Sequence, residues 1–123
     1  MIELRAISKR FGGVQALDGI GLSIAEKEIH ALVGENGAGK STLGKIIAGV
    51  IKQDSGELFI DGNERHYFSP HQALEDGITA IQQEISVVPD RSVIENVFLG
   101  IERNRLGVVQ EGDLGRRFDA LIA

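Results

Sequence analysis

Gly34-Glu35-Asn36-Gly37-Ala38-Gly39-Lys40-Ser41-Thr42 has the spacing G-x-x-x-x-G-K-[ST], which is the P-loop pattern for binding phosphate groups. Its glycines allow the main chain to approach a ligand without a side chain in between. Successive N–H groups, together with the start of a following helix, can then face phosphate oxygens. Lys40 would bring a positive charge to the β- and γ-phosphates, and the Ser41 hydroxyl is a suitable ligand for Mg²⁺. The stretch therefore predicts a nucleotide site.

The segments on either side of this stretch fit a phosphate-binding loop. Glu28–Val33 is short and mostly apolar, which predicts a buried strand that leads into the loop. After the loop, apolar residues recur on one face of a helix, which we expect to end near Ala48-Gly49. These residues are Leu43, Ile46, Ile47, Val50 and Ile51.

Two further strands precede the loop. Ile2–Ile7 and Ala16–Ile24 alternate apolar and polar residues, and Phe11-Gly12-Gly13 predicts a turn between them. A simple doubly wound fold usually opens with the phosphate loop itself, so this arrangement differs from it. We therefore expect an α/β P-loop NTPase fold with an antiparallel β subdomain beside a partial parallel sheet.

The middle of the chain predicts a hairpin, a short helix and a strand. The expected order is a strand over Glu57–Ile60, a turn at Asp61-Gly62-Asn63, a return over His66–Phe68, a helix over Pro70–Asp76 capped by Ser69, and a central strand over Ile78–Gln82.

The last third predicts two helices separated by a loop. The first opens at Asp90-Arg91-Ser92 and stops at Gly100, residues 101–111 form the loop, and Asp113 caps the second helix. That helix carries Leu114, Phe118, Leu121 and Ile122 on one side. An apolar face at the end of the sequence suggests that a longer protein continues beyond Ala123.

Composition excludes several classes of function. A net charge of −5 and a pI near 5.1 argue against a general nucleic-acid surface. There is no cysteine, so disulfides, thiol catalysis and cysteine metal clusters are excluded. No apolar run is long enough to span a bilayer, and the first residues lack the pattern of a signal peptide. We therefore expect a cytoplasmic protein.

Beyond the P-loop, a series of motifs resembles the ATP-binding subunit of an ABC transporter, in particular the monosaccharide-importer class of the ribose, xylose and galactose type. The matching stretches, in order, are Phe11–Asp18, the loop itself, Ser55–Leu58 with Asp61-Gly62, Gln82-Gln83-Glu84 and Ser92–Gly100. This resemblance reaches from the first strand to Gly100, so it is far more specific than the loop alone.

The resemblance implies an adenine pocket at the first hairpin. Phe11 stands where the family has an aromatic that stacks on adenine, and stacking on an aromatic suits any base. The family more often has tyrosine at this place. Ala16 would line the same pocket. The alternative is that Phe11 is a core aromatic at the end of a strand.

The resemblance also implies a glutamine that reaches Mg²⁺ or the attacking water and senses the membrane subunit. Gln83 is our candidate because Glu84 follows it, with Gln82 as a rival and a solvated loop glutamine as the alternative. The segment Ile85–Asn96 would then dock on the transmembrane subunit. Asp61 imitates the Mg²⁺-binding aspartate of P-loop enzymes, but Gly62-Asn63 after it favours a turn residue.

Three motifs of the family are missing from this sequence: the LSGGQ-like signature, the Walker B strand with its glutamate, and the switch histidine. His30, His66 and His71 lie too early to serve as that histidine. We therefore interpret residues 1–123 as the N-terminal part of an ABC nucleotide-binding domain. On its own it should bind nucleotide weakly and hydrolyse it poorly or not at all.

Our hypothesis is that the chain is the ATP-binding part of a sugar importer, whose intact form couples ATP hydrolysis to carbohydrate uptake. Its cofactors would be ATP and Mg²⁺, with Lys40 and Gln83 in catalytic roles and Ser41 and Gln83 at the metal. The expected partners are transmembrane permease subunits, a second ATPase domain or subunit and, indirectly, a sugar-binding protein, at the inner face of the cell membrane. The alternative is a nucleotide-responsive regulatory module without transport. A GTPase or small-molecule kinase is disfavoured because the chain lacks a D-x-x-G after the loop and an N-K-x-D motif.

Overall fold

The protein is described by a computed structural model that covers residues 1–81, 87–105 and 108–123. Gln82, Gln83 and Glu84 lie outside the described residues. The chain forms two units, Met1–Ile81 and Gln82–Ala123. None of the helices in the described part of the chain is long and apolar enough to cross a bilayer.

The first unit is built on an antiparallel sheet of four strands in the order β2-β1-β3-β4. Its strands are β1 (Ile2–Phe11), β2 (Val14–Ile24), β3 (Ser55–Ile60) and β4 (Asn63–Arg65). The expected antiparallel part of the fold is thus confirmed. The return strand of the second hairpin is Asn63–Arg65 and not His66–Phe68, because Asp61 and Gly62 both take positive φ and close a two-residue loop between Ile60 and Asn63.

A bulge in β1 changes which side chains reach the core. Strict alternation from Ile2 would place Ile7 on the opposite face from Leu4, but Leu4 and Ile7 are both buried. The pairing of β1 with β2 and with β3 shifts between these two residues, and Ala6 has a φ of 50° there. One extra residue in β1 therefore brings Ile7 back to the core face.

Helix α1 (Lys40–Ile47) packs its apolar face into this core, as expected. The helix ends in a Schellman motif, in which the Val50 N–H donates to the Lys45 carbonyl and the Gly49 N–H to the Ile46 carbonyl. Buried side chains from the sheet, from α1, from helix α2 (Pro70–Glu75) and from the segment between β4 and α2 form one cluster. Its members are Leu4, Ile7, Leu17, Leu43, Ile46, Leu58, Ile60, Tyr67 and Ala73.

The two strands expected for the parallel part of the sheet are not formed in the described residues. Residues 28–33 and 78–81 are in no ladder, and Ile29 and Val33 are almost fully exposed. A parallel strand needs a neighbour that is reached through a crossover connection, and no parallel pair occurs among the residues that the structure describes. The strand predicted over Glu28–Val33 was therefore wrong, as was the strand predicted over Ile78–Gln82 for residues 78–81, since Gln82 lies outside the described residues.

The described residues of the second unit form two helices and a small hairpin. They are α3 (Val93–Val97), β5 (Asn104–Arg105), β6 (Val108–Val109) and α4 (Glu111–Ile122). Ser92 and Glu95 form a capping box at the start of α3, which agrees with the expected opening of that helix. The segment expected as a loop carries the pair β5–β6, and α4 begins two residues before the predicted cap Asp113, which lies in its first turn.

Candidate nucleotide site

The start of α1 supplies the main-chain donors of the site. Gly39 is the N-cap residue, with a φ of 84°, and no side chain caps the helix there. The first N–H groups of a helix have no carbonyl partner within the helix, so those of Lys40, Ser41 and Thr42 point out of its N-terminal end. The positive end of the helix dipole lies at the same place. Together these groups give the helix terminus the donors and the positive potential that an anion requires.

The side chain of Lys40 turns back onto the loop. Its Nζ atom lies 2.7 Å from the carbonyl oxygen of Gly34 and 2.7 Å from that of Glu35. An ammonium group has three N–H donors, so two are used here and a third is left for a ligand. The loop is thus closed by its own lysine, with the positive charge at the helix terminus.

Gly39 also joins the loop to the antiparallel sheet. A Cβ atom at this position would lie 2.5 Å from the Ala16 carbonyl oxygen and 2.6 Å from Cδ2 of Leu17. Real Cβ atoms do not approach other atoms so closely, so only glycine fits without a shift of β2. The structure therefore brings Ala16, one of the predicted site residues, against the end of the loop.

The other loop residues face solvent. Glu35, Asn36, Gly37 and Ala38 are exposed, and the Ala38 N–H donates to the Glu35 carbonyl at 3.2 Å. Ser41 is exposed in the first turn of α1, whereas Thr42 is half-buried. The Ser41 hydroxyl is thus accessible to a ligand at the helix terminus.

Phe11 lies at the end of β1, where it pairs with Val14 across the hairpin. Its side chain is 48% exposed and it is not among the buried residues of the core, so the alternative of a core aromatic was wrong. The Nζ atom of Lys9 lies 5.5 Å from the centre of the Phe11 ring, within the range of a cation–π contact. Lys9 was missed from the sequence, although residues two apart on a strand share a face and this spacing could have indicated it.

The segment before the loop is held by a carboxylate. Glu28 accepts a bond from the Ala25 N–H and lies 2.8 Å from Nδ1 of His30. The hydrogen bond with His30, followed by that from Ala25, lowers the pKa of Glu28. No group of three or more His, Cys, Asp or Glu side chains that could hold a metal occurs in the described ranges. His30 is therefore a local partner of Glu28.

Comparison with known proteins matches residues 17–122 to the family model described as ABC transporter. A ribose import ATP-binding protein of Escherichia coli O157:H7 is 49% identical over 114 residues, covering 93% of this chain and 22% of the relative. One of Yersinia pestis is 47% identical over 122 residues, covering 99% of this chain and 24% of the relative. The chain thus spans about a quarter of the length of these curated relatives.

Solved structures agree with this match. A dimeric ATP-binding cassette in a post-hydrolysis state, bound to ADP and Pi, superposes with a TM-score of 0.72 at 26% identity, over 98% of this chain and 56% of that one. A nucleotide-free cassette of an ABC transporter gives a TM-score of 0.67 at 24% identity, over 98% of this chain and 52% of that one. On the family match and the identities with its relatives, the chain belongs to the ABC transporter family.

Proposed function

We propose that this chain is the ATP-binding part of a sugar importer, whose full-length form couples ATP hydrolysis to carbohydrate uptake. The observation that carries the proposal is the Lys40 ammonium, held by two loop carbonyls at the N-terminal end of α1. The names of the relatives support the substrate class, because they are ribose import proteins.

Three groups of the chain would hold the nucleotide. The N–H groups at the start of α1 and the third donor of Lys40 would bind phosphate oxygens. The exposed ring of Phe11 would stack on the base, and Ala16 would form a wall of the site where β2 meets Gly39. The remaining residues from Gly34 to Thr42 would shape the loop around the phosphates.

The residues present fit Mg²⁺ as a partner of the phosphates. Ser41 offers one exposed hydroxyl oxygen at the helix terminus, and Mg²⁺ usually takes few protein ligands together with phosphate oxygens and water. When bound, the ion neutralises charge on the phosphate groups. Gln83 is the proposed second ligand on the basis of the family resemblance, in a segment outside the described residues.

The proposed partners follow from the family. A second ATPase domain or subunit is supported by the dimeric cassette to which this chain is similar. The ATPase would act on the sugar through permease subunits and, indirectly, through a sugar-binding protein. The proposed location is the inner face of the cell membrane.

The test is ATP turnover by the full-length protein with Lys40→Ala. The Lys40 ammonium would stabilise the negative charge that develops on the phosphates during hydrolysis. Its loss should therefore lower turnover by about 100-fold or more. Lys45→Ala is the matched control, because Lys45 lies in the last turn of the same helix and its loss should leave turnover unchanged. Normal turnover by Lys40→Ala would refute the site.

Two further measurements test the class of protein. ATP should compete better than GTP for the site, and a preference for GTP would count heavily against the proposal. The full-length protein should co-purify with a membrane permease. A full-length protein that purifies without any permease would favour the regulatory module.

A further inference from the structure

An ion pair lies beneath the exposed ring of Phe11. Nζ of Lys9 lies 2.6 Å from Oδ1 of Asp54, and the same ammonium lies 5.5 Å from the centre of the Phe11 ring. Lys9 is on β1, two residues before Phe11, and Asp54 directly precedes β3. A residue of β1 and the residue directly before the neighbouring strand β3 therefore both support the ring.

Asp54 is fixed by more than the lysine. Its Oδ2 atom accepts the Arg10 N–H at 2.7 Å, and its own N–H donates to the Ser8 carbonyl at 2.9 Å. The hydrogen bond from Lys9, followed by that from Arg10, lowers the pKa of Asp54, so this carboxylate is ionised at neutral pH. The side chain of Lys9 is only 16% exposed, although lysine is normally a surface residue. Lys9 is thus held in one place.

A second lysine–phenylalanine contact in the same unit lacks this support. Nζ of Lys52 lies 5.1 Å from the centre of the Phe68 ring, but no carboxylate of the described residues pairs with Lys52. Lys52 and Phe68 are both exposed. The contact of Lys9 differs because an anchored anion fixes the cation on one side of the ring.

We propose that Lys9 and Asp54 are positioning residues that hold the Phe11 ring ready to stack on the base of the nucleotide. Lys9 covers one face of the ring, so the base stacks on the other. A ring that is already oriented loses less freedom when the ligand binds, and this strengthens binding. The inference rests on the proposed nucleotide site and adds residues that do not touch the phosphates.

The test compares a ligand with a base and a ligand without one. The full-length protein is titrated calorimetrically with a non-hydrolysable ATP analogue and with inorganic tripolyphosphate, each with Mg²⁺. Lys9→Met retains the apolar stem but removes the charge, and Lys9→Arg restores the charge. Lys52→Met is the matched control, because it removes a charge from the other lysine–phenylalanine contact.

Lys9→Met should weaken binding of the ATP analogue by about two- to five-fold, the range of an exposed cation–π contact, and leave tripolyphosphate unchanged. Lys9→Arg should recover most of this loss, and Lys52→Met should bind both ligands like the unmodified protein. In a Phe11→Ala background, Lys9→Met should have no further effect, since the ring it positions is gone.

The inference is overturned if Lys9→Met binds the ATP analogue normally, if it weakens both ligands equally, or if its effect persists without Phe11. Failure of the proposed function has a different signature. The unmodified protein would then bind neither the ATP analogue nor tripolyphosphate, and the role of the pair would fall with it.

Discussion

The antiparallel sheet and the two apolar segments at 28–33 and 78–81 contain similar residues, but only the sheet residues are paired in strands. Leu58 of β3 is 2% exposed within the sheet, whereas Ile29 is 100% and Ile81 is 99% exposed. All three are large aliphatic residues in segments that predict strands. Residue type therefore does not separate the two regions.

The difference lies in whether a pairing partner is present. β1 meets β2 through a tight turn, β3 meets β4 through a two-residue loop, and β1 and β3 pair antiparallel although they are far apart in the chain, so every strand of the sheet has a partner. Parallel strands pair only through long crossovers, and the described residues form none. An apolar run becomes a strand only when a partner is present.

The largest expected effect tests burial in the sheet against exposure outside it. Leu58→Ala should lower the free energy of unfolding by about 2–5 kcal/mol, because it leaves a cavity among packed side chains. Ile29→Ala should change it by less than about 0.5 kcal/mol, as at other exposed positions. Chemical denaturation of the two variants measures both values. Equal losses would show that residues 28–33 are packed like a core strand.

A second prediction concerns Gly39, where the loop after the unpaired segment contacts the sheet. Gly37 and Gly39 have similar positive φ values of 90° and 84°, but a Cβ at Gly37 has no atom within 4 Å, unlike one at Gly39. Gly37→Ala should cost about 1–2 kcal/mol of backbone strain. Gly39→Ala should cost about 1–3 kcal/mol more, because β2 must shift. Equal costs in denaturation would mean that the contact of Gly39 with Ala16 is absent.

The smallest expected effect concerns the cap of α3, another structure closed by near neighbours. Hydrogen bonds from the backbone and hydroxyl of Ser92, followed by that from Arg91, lower the pKa of Glu95 to about 2 from its usual 4.5. A carboxyl group whose pKa is lower in the folded state stabilises that state at pH values above its pKa in the unfolded state. This contribution should therefore fade as the pH drops from about 4.5 to about 2.

An NMR titration of the Glu95 carboxyl measures this pKa directly. In Ser92→Ala the pKa should rise only partly, since the backbone N–H still donates. A normal pKa in the unmodified protein would show that the capping box is not formed.

The need of a strand for a pairing partner also explains which elements could be predicted from the sequence. Local signals placed the first hairpin, the Asp61-Gly62 turn, α1 with its glycine end and the cap at Ser92. The run from Ile2 to Arg5 alternates, but Ala6 and Ile7 are both apolar, and that break was the only local sign of the β1 bulge; the extra residue itself is visible only in the pairing. The strand prediction for residues 28–33 depended on partners that periodicity does not reveal.

For the site, the glycine, lysine and hydroxyl positions followed from one motif, and the structure shows Lys40 against its own loop. The contact of Gly39 with Ala16 and the pair formed by Lys9 and Asp54 join residues that are 23 and 45 positions apart. Spacing along the chain carries no information on such contacts. Gln83 stays a prediction.

The bulge at Ala6 has a consequence for the orientation of the Phe11 side chain. Leu4 and Ile7 would face the core equally well in a regular strand without Ala6, so the extra residue adds nothing to core packing. A bulge does increase the twist of its strand, and it lies upstream of the half of β1 that carries Phe11. Deleting Ala6 would therefore turn the aromatic surface to a new angle while preserving the interior. The orientation of Phe11 therefore depends on a residue five positions earlier in the strand.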